Sequence, residues 1–168
     1  LKNKKFTIGF DPKLFTKKTL SFFFNNCNSK FKPLNKNLID KIWKRKIKIR
    51  NSKFYSLPEN SVGHDYKLKV KKIVSNLKKK GADFQFITSS ENNAWLFNIR
   101  GNDEKYSPIP HCYVLINKNS KINFFCNLRK INSSLEKNLK KVKFKNIESI
   151  AKFLSNIKNK KFIIDKNT

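Results

Sequence analysis

Between residues 65 and 80 the apolar positions Tyr66, Val70, Ile73 and Leu77 recur at spacings of four, three and four. That period gathers side chains on one face of an α-helix, and Gly81 follows where a helix end favours a residue tolerant of left-handed backbone angles. Residues 82–88, apolar at Phe84, Phe86 and Ile87, predict a strand. Ser90 is placed to cap a short helix holding Ala94, Trp95, Leu96 and Phe97 that ends at Arg100–Gly101. The apolar runs 112–116 and 122–126, separated by residues 117–121, predict a hairpin. Ser133, Ser134, Leu135 and Glu136 have the S-x-x-E form of a capping box, in which serine and glutamate satisfy each other's backbone N–H groups. Ile147, Ile150, Ala151, Leu154 and Ile157 predict a last amphipathic helix, and Phe162-Ile163-Ile164 a strand.

The first part of the chain is less regular. Residues 6–10 predict a short strand ending at the Asp11-Pro12 turn, 14–24 a helix, and Phe31-Lys32-Pro33 an extended piece. Within that helix, Phe22, Phe23 and Phe24 are expected to form a buried face, one that becomes exposed and sticky if the part stands alone. Residues 45–53 are a charge-dominated connection, followed by Leu57-Pro58-Glu59-Asn60-Ser61. The boundary is placed at about residue 60. Residues 1–60 then read as the end of one domain plus a linker, and 61–168 as one α/β unit whose interleaved strands and helices imply a sheet covered by helices.

Composition changes this picture in three ways. With 38% hydrophobic and 13% aromatic residues the chain can build a core, which excludes wholesale disorder. No apolar run approaches the roughly 18 residues of a membrane span, so no membrane partner is expected. The 168 residues begin with Leu and contain no Met, which predicts an internal piece of a longer protein.

The net charge of +28 invites a nucleic-acid reading. Its make-up argues otherwise, because Lys supplies 35 of the 39 basic residues and Arg only Arg45, Arg50, Arg100 and Arg129, although Arg is the better bidentate phosphate ligand. Lys, Asn, Ile and Phe together fill 91 of the 168 positions. All four are specified by A- and T-rich codons, so the lysines read as drift on solvent-facing positions. A basic nucleic-acid-binding α/β module is the rival reading. Its best patch is residues 41–50, with Trp43 among Ile42, Ile47 and Ile49.

Candidate chemistry is sparse. Cys27, Cys112 and Cys126 lack metal-knuckle spacing, and His64 and His111 lie far apart. This fits a reducing, cytoplasmic setting. Four glycines cannot build a P-loop or a dinucleotide turn, and among the eleven acidic residues only Asp103 and Glu104 adjoin. No catalytic residue and no metal ligand is assigned.

One segment is more specific. Ala94-Trp95-Leu96-Phe97-Asn98-Ile99-Arg100-Gly101-Asn102-Asp103, followed by Pro108 and Tyr113, resembles the A-W-L-F-N-x-R-G-x-D…P…Y stretch of the three-domain cytosolic Xaa-Pro aminopeptidases. Ile8-Gly9-Phe10-Asp11-Pro12 resembles the G-x-D-P element of that family's first domain. Asn37-Leu38-Ile39-Asp40-Lys41-Ile42-Trp43 resembles the N-L-[IV]-D-x-I-W element before its second domain.

The resemblance implies a creatinase/prolidase N-terminal-domain-like fold for residues 61–168: a mixed sheet flanked by helices, with a ribonuclease H-like motif, cut short at its C-terminus. A partial domain of the same type would precede it. It also implies a homodimeric parent enzyme that releases an N-terminal residue preceding proline. Two divalent metal ions, manganese in most members, would sit in a pita-bread catalytic domain that this sequence does not contain. Leu96, Phe97 and Trp95 are then expected to be core packing, and Asn98, Pro108, Tyr113 and Asp40 mainly structural. Trp43 would help join the first domain to the second. Arg100, Gly101 and Asp103 leave the helix in a loop where glycine eases the backbone. An Arg and an Asp fixed there could pair with each other or with the catalytic domain, at the rim of the peptide cleft or at an interdomain contact.

Overall fold

The structure is a computed structural model describing residues 5–43 and 52–165. The chain divides into two compact units, Leu1–Lys48 and Ile49–Thr168.

In the first unit, β1 (Thr7–Phe10) and β2 (Lys30–Pro33) pair in parallel, joined through α1 (Lys17–Phe24). Thr16 and Thr19 cap α1 reciprocally. Of the phenylalanine run only Phe24 turns inward, against Phe31 with ring centroids 5.1 Å apart. Phe22 and Phe23 are exposed, so the expected buried face is reduced to one residue in this unit. In α2 (Leu38–Ile42) Asn37 is the N-cap: its Oδ1 accepts from Ile39 N at 2.9 Å while its Nδ2 donates to Asp11 Oδ2 at 2.9 Å. The Asp-Pro turn and the Asn-Leu-Ile-Asp element are thus one hydrogen-bonded construction. Asp40 and Trp43 are exposed, and most of the basic stretch 41–50 considered for nucleic acid, from residue 44 to 50, lies outside the described residues.

The second unit is built on a five-stranded mixed sheet whose spatial order is β8 (Val142–Asn146), β7 (Ile122–Cys126), β6 (Cys112–Asn117), β4 (Phe84–Ile87) and β9 (Phe162–Ile163). Its central hairpin, β6 and β7, is antiparallel, with Cys112 opposite Cys126. β4 runs antiparallel to β6, β9 parallel to β4, and β8 parallel to β7. The hairpin strands read as continuous apolar runs because both faces are covered. Val114, Ile116 and Phe124 meet α3 (Tyr66–Lys79) and α4 (Ser90–Phe97) in the main core. On the opposite face Phe125 packs edge-on against Phe153 of α6 (Ile150–Ser155) at 5.3 Å.

Two local expectations are corrected, and one strand is added to those read from the sequence. The cap of α4 is Ser89, whose Oγ accepts from Asn92 N at 3.3 Å, and the helix stops at Asn98 rather than at Arg100–Gly101. The Ser133–Glu136 capping box does not form: Asn132 caps α5 (Ser133–Asn138), accepting from Leu135 N at 2.8 Å. An Asn side chain one residue earlier reaches the same class of orphan N–H and places Leu135 in the core. Strand β8 was not anticipated, since Lys143 and Lys145 interrupt its apolar residues. The packing of the second unit also takes in residues 54–56. Phe54 is fully buried in its core, and β3 (Tyr55–Ser56) pairs antiparallel with β5 (Ile99–Arg100).

Candidate functional site

The tryptophan-centred segment runs through α4, β5 and the loop up to β6. Asn93, fully buried, pins α4 to the sheet by donating from Nδ2 to the carbonyls of Ile87 and Cys112, each at 3.2 Å. Leu96 and Phe97 are 2% exposed, and the Phe97 ring lies 5.9 Å from Tyr66 and 5.5 Å from Phe124. Trp95 departs from the expected core packing. It is 62% exposed, because it leaves the helix on the side away from the sheet.

Asn98 ends α4 in the left-handed region, φ 54°, where Asn is the best tolerated residue after Gly. Its side chain then serves two neighbours: Oδ1 accepts from Lys69 Nζ at 2.6 Å, and Nδ2 donates to the His64 carbonyl at 2.9 Å. Lys69 also donates to the Trp95 carbonyl at 2.6 Å, and its ammonium stands 4.1 Å from the Trp95 ring centroid. A buried lysine at a helix C-terminus faces the negative end of the helix dipole. Burial, and then the nearby Arg100 charge, push its pKa below the ordinary lysine value, while Asp65 opposes them.

Of the two expectations for the loop, the pair between its own Arg100 and Asp103 does not form. Arg100, half-buried in β5, donates from Nη1 to the carbonyls of Ile99 at 2.9 Å and Ala94 at 3.4 Å. Asp103 forms an ion pair with Lys130, the two side chains being 4% and 7% exposed, and its Oδ2 accepts from His111 N at 2.7 Å. Burial pushes the Lys130 pKa down, a cost that the Asp103 carboxylate offsets. The neighbouring Glu104 meets the His111 ring. Gly101 donates to the Pro108 carbonyl at 3.2 Å, and Asp103 N to the Ile109 carbonyl at 3.3 Å, which closes the loop as a narrow strap.

Gly101 is required by closeness rather than by torsion. A Cβ there would stand 2.9 Å from two Phe54 ring carbons and from Pro110 Cα. Tyr113 sits half-buried on the next strand, its ring 6.1 Å from Phe86.

Sequence reasoning passed over Lys69, Lys130 and Phe54. Lys69 had a signal, since it shares the apolar face of Tyr66, Val70 and Ile73. Lys130 had none among 35 lysines. Among the described residues no three His, Cys, Asp or Glu side chains converge to hold a metal ion, so the residues present do not fit one. No helix of the described residues is long and apolar enough to cross a membrane.

Comparison with known proteins gives this geometry its context. Over 118 residues, 67% of this chain and 19% of the relative, the sequence is 32% identical to a probable Xaa-Pro aminopeptidase P of Colletotrichum graminicola. Aminopeptidase P1 of Lotus japonicus is 27% identical over 139 residues, 81% of this chain and 21% of its own length. The chain therefore spans about a fifth of the curated relatives it matches. Among solved structures, the X-prolyl aminopeptidase of Caenorhabditis elegans, described as a cytosolic enzyme with a di-nuclear active site, has the same fold. Its TM-score is 0.80 at 24% identity, over 89% of this chain and 25% of that one. The mixed sheet between helices agrees with the match of residues 45–168 to the creatinase/prolidase N-terminal domain, and the chain belongs to that family.

Proposed function

We propose that this chain is a non-catalytic N-terminal portion of an Xaa-Pro aminopeptidase, a cytoplasmic metallopeptidase that releases the residue preceding proline. The observation that carries the reading is the 32% identity to a probable Xaa-Pro aminopeptidase P over 118 residues. Its boundaries are proposed as the end of a first creatinase-N-like domain followed by a second. The two metal ions, manganese by family resemblance, belong to a further domain, and the parent acts as a homodimer on peptides with proline second. This part shapes access to the catalytic cleft and makes domain or subunit contacts.

Within the strap, Gly101 and Asp103 set the shape. Gly101 lets the backbone lie against Phe54 and Pro110, and Asp103 anchors it to Lys130. Arg100 is the group left to act outward, because only its Nη1 is hydrogen-bonded within the described residues.

The test is expression of the complete reading frame that contains this segment, assayed with manganese on a peptide carrying proline second and on its alanine counterpart. The whole protein is expected to cleave only the first, this chain neither. Hydrolysis by this chain alone, or indifference of the whole protein to proline, overturns the reading. In the whole protein Arg100→Ala is expected to lower kcat/KM or Tm. If neither moved, the assignment of Arg100 would fall.

A further inference from the structure

Two cations are held side by side at the end of α4 without a carboxylate. Lys69 is 7% exposed and spends its ammonium on the Trp95 carbonyl and Asn98 Oδ1. Arg100 spends Nη1 on two further carbonyls, leaving Nε and Nη2 without a bonded partner among the described residues. The ion pairs of the described residues involve neither of them, and Asp65, the acid that acts on Lys69, already pairs with Lys67 at 3.6 Å. One helix end offsets only about half a unit charge. Two positive charges on it are therefore under-compensated, and each raises the cost of the other.

Beside them Trp95 keeps 62% of its surface exposed while its neighbours Ala94 and Leu96 are buried, so the ring is presented on a fixed base. An exposed Trp next to an Arg with unspent donors is the composition of an interface hot spot. A fork of free N–H groups matches a carboxylate in two-pronged geometry. With 39 basic and 11 acidic residues this chain is poorly suited to supply that carboxylate from a second copy of itself.

We propose that Arg100 and Trp95, with the buried Lys69 as a fixed charge behind them, form a docking point for an Asp or Glu side chain presented by another protein surface, with an apolar neighbour of that residue lying on the Trp95 ring. The assignment rests on the reading of Arg100 as an outward contact. Its test needs no peptidase activity, so a failed cleavage assay and a failed docking assay remain separate results.

The experiment is a titration of the isotope-labelled chain, followed by NMR, with the blocked peptide acetyl-Leu-Glu-Leu-amide. The glutamine analogue and inorganic phosphate are the comparison probes. About 0.15 M salt screens diffuse attraction to the net positive charge. The glutamate peptide is expected to shift the Trp95 indole and the amides of Asn98, Ile99 and Arg100. Arg100→Gln weakens it about fivefold or more, and Lys121→Gln, on the hairpin turn, less than about twofold. Equal binding of the glutamine analogue, tighter binding of phosphate, or shifts spread over unrelated lysines overturns the proposal. A thermal scan of Arg100→Gln in this chain alone gives an independent reading, since relief of the crowded positive charge offsets the two lost carbonyl hydrogen bonds and Tm falls by no more than about 5 °C. A fall of more than about 5 °C would make Arg100 a structural brace and would also overturn the proposal.

Discussion

Replacing Asp103 with Asn tests what holds the strap in place. The substitution keeps the side-chain shape and an oxygen to accept from His111 N, but removes the charge that faces Lys130. Both side chains of the pair are almost enclosed, at 4% and 7% exposure, so water cannot take over the solvation of the ammonium. Breaking a buried pair by neutralising one member typically costs about 3–5 kcal/mol, because the other charge is left buried and uncompensated. For a unit of this length each kcal/mol moves Tm by about 3–5 °C, so the variant should melt about 10 °C or more below the parent. Against a typical total stability of about 5–15 kcal/mol, that loss is a large part of the whole. The paired change Asp103→Leu with Lys130→Met should recover most of it, since an apolar pair of similar volume carries no desolvation cost. Circular dichroism melts and urea unfolding of the parent, both single variants and the double variant form the necessary cycle. If Asp103→Asn lowered Tm by less than about 3 °C, or the two single losses simply added in the double variant, the pair would not be the anchor described here.

Three further outcomes follow from the same geometry. Gly101→Ala should cost about 1–3 kcal/mol by overpacking, because the new methyl would meet the Phe54 ring and the Pro110 backbone at 2.9 Å; a neutral urea midpoint would show that the contact yields easily. Asn98→Ala should lose about 2–3 kcal/mol through the left-handed backbone and two lost side-chain hydrogen bonds, and Asn98→Gly should recover only the backbone part; an Asn98→Gly variant as stable as the parent would remove the role of the side chain. Burial pushes the Cys126 thiol up to about 12 and the Cys112 thiol higher still. At pH 8 maleimide should therefore label Cys27 well before either, as read by mass spectrometry after proteolysis, and comparable labelling of Cys112 would contradict its burial.

Much of the scaffold was legible in the chain because its signals are local. The spacing of Tyr66, Val70, Ile73 and Leu77, with Gly81 beyond, specifies a helix without reference to anything distant, and the paired apolar runs around residues 117–121 specify a hairpin. Strand β8 escaped because its alternation, Val142 and Phe144 against Lys143 and Lys145, is hidden in a chain where lysine occupies every kind of surface. The cap of α5 escaped for a related reason, since Asn132 and Ser133 are both competent caps and only the inward direction of Leu135 chooses between them.

By itself the sequence determined most of the elements, the family resemblance and the position of the tryptophan segment, all of which depend on residue type and short spacing. Only the tertiary structure decided which of 35 lysines matter. Lys69 and Lys130 are set apart by desolvation and by partners 26 to 29 positions away. It likewise separated Arg100 from Asp103, neighbours that look like a pair in the chain. The carboxylate finds a buried ammonium across the fold, while the guanidinium stays on carbonyls with donors to spare, because electrostatic partnership is set by distance and burial after folding rather than by order along the backbone.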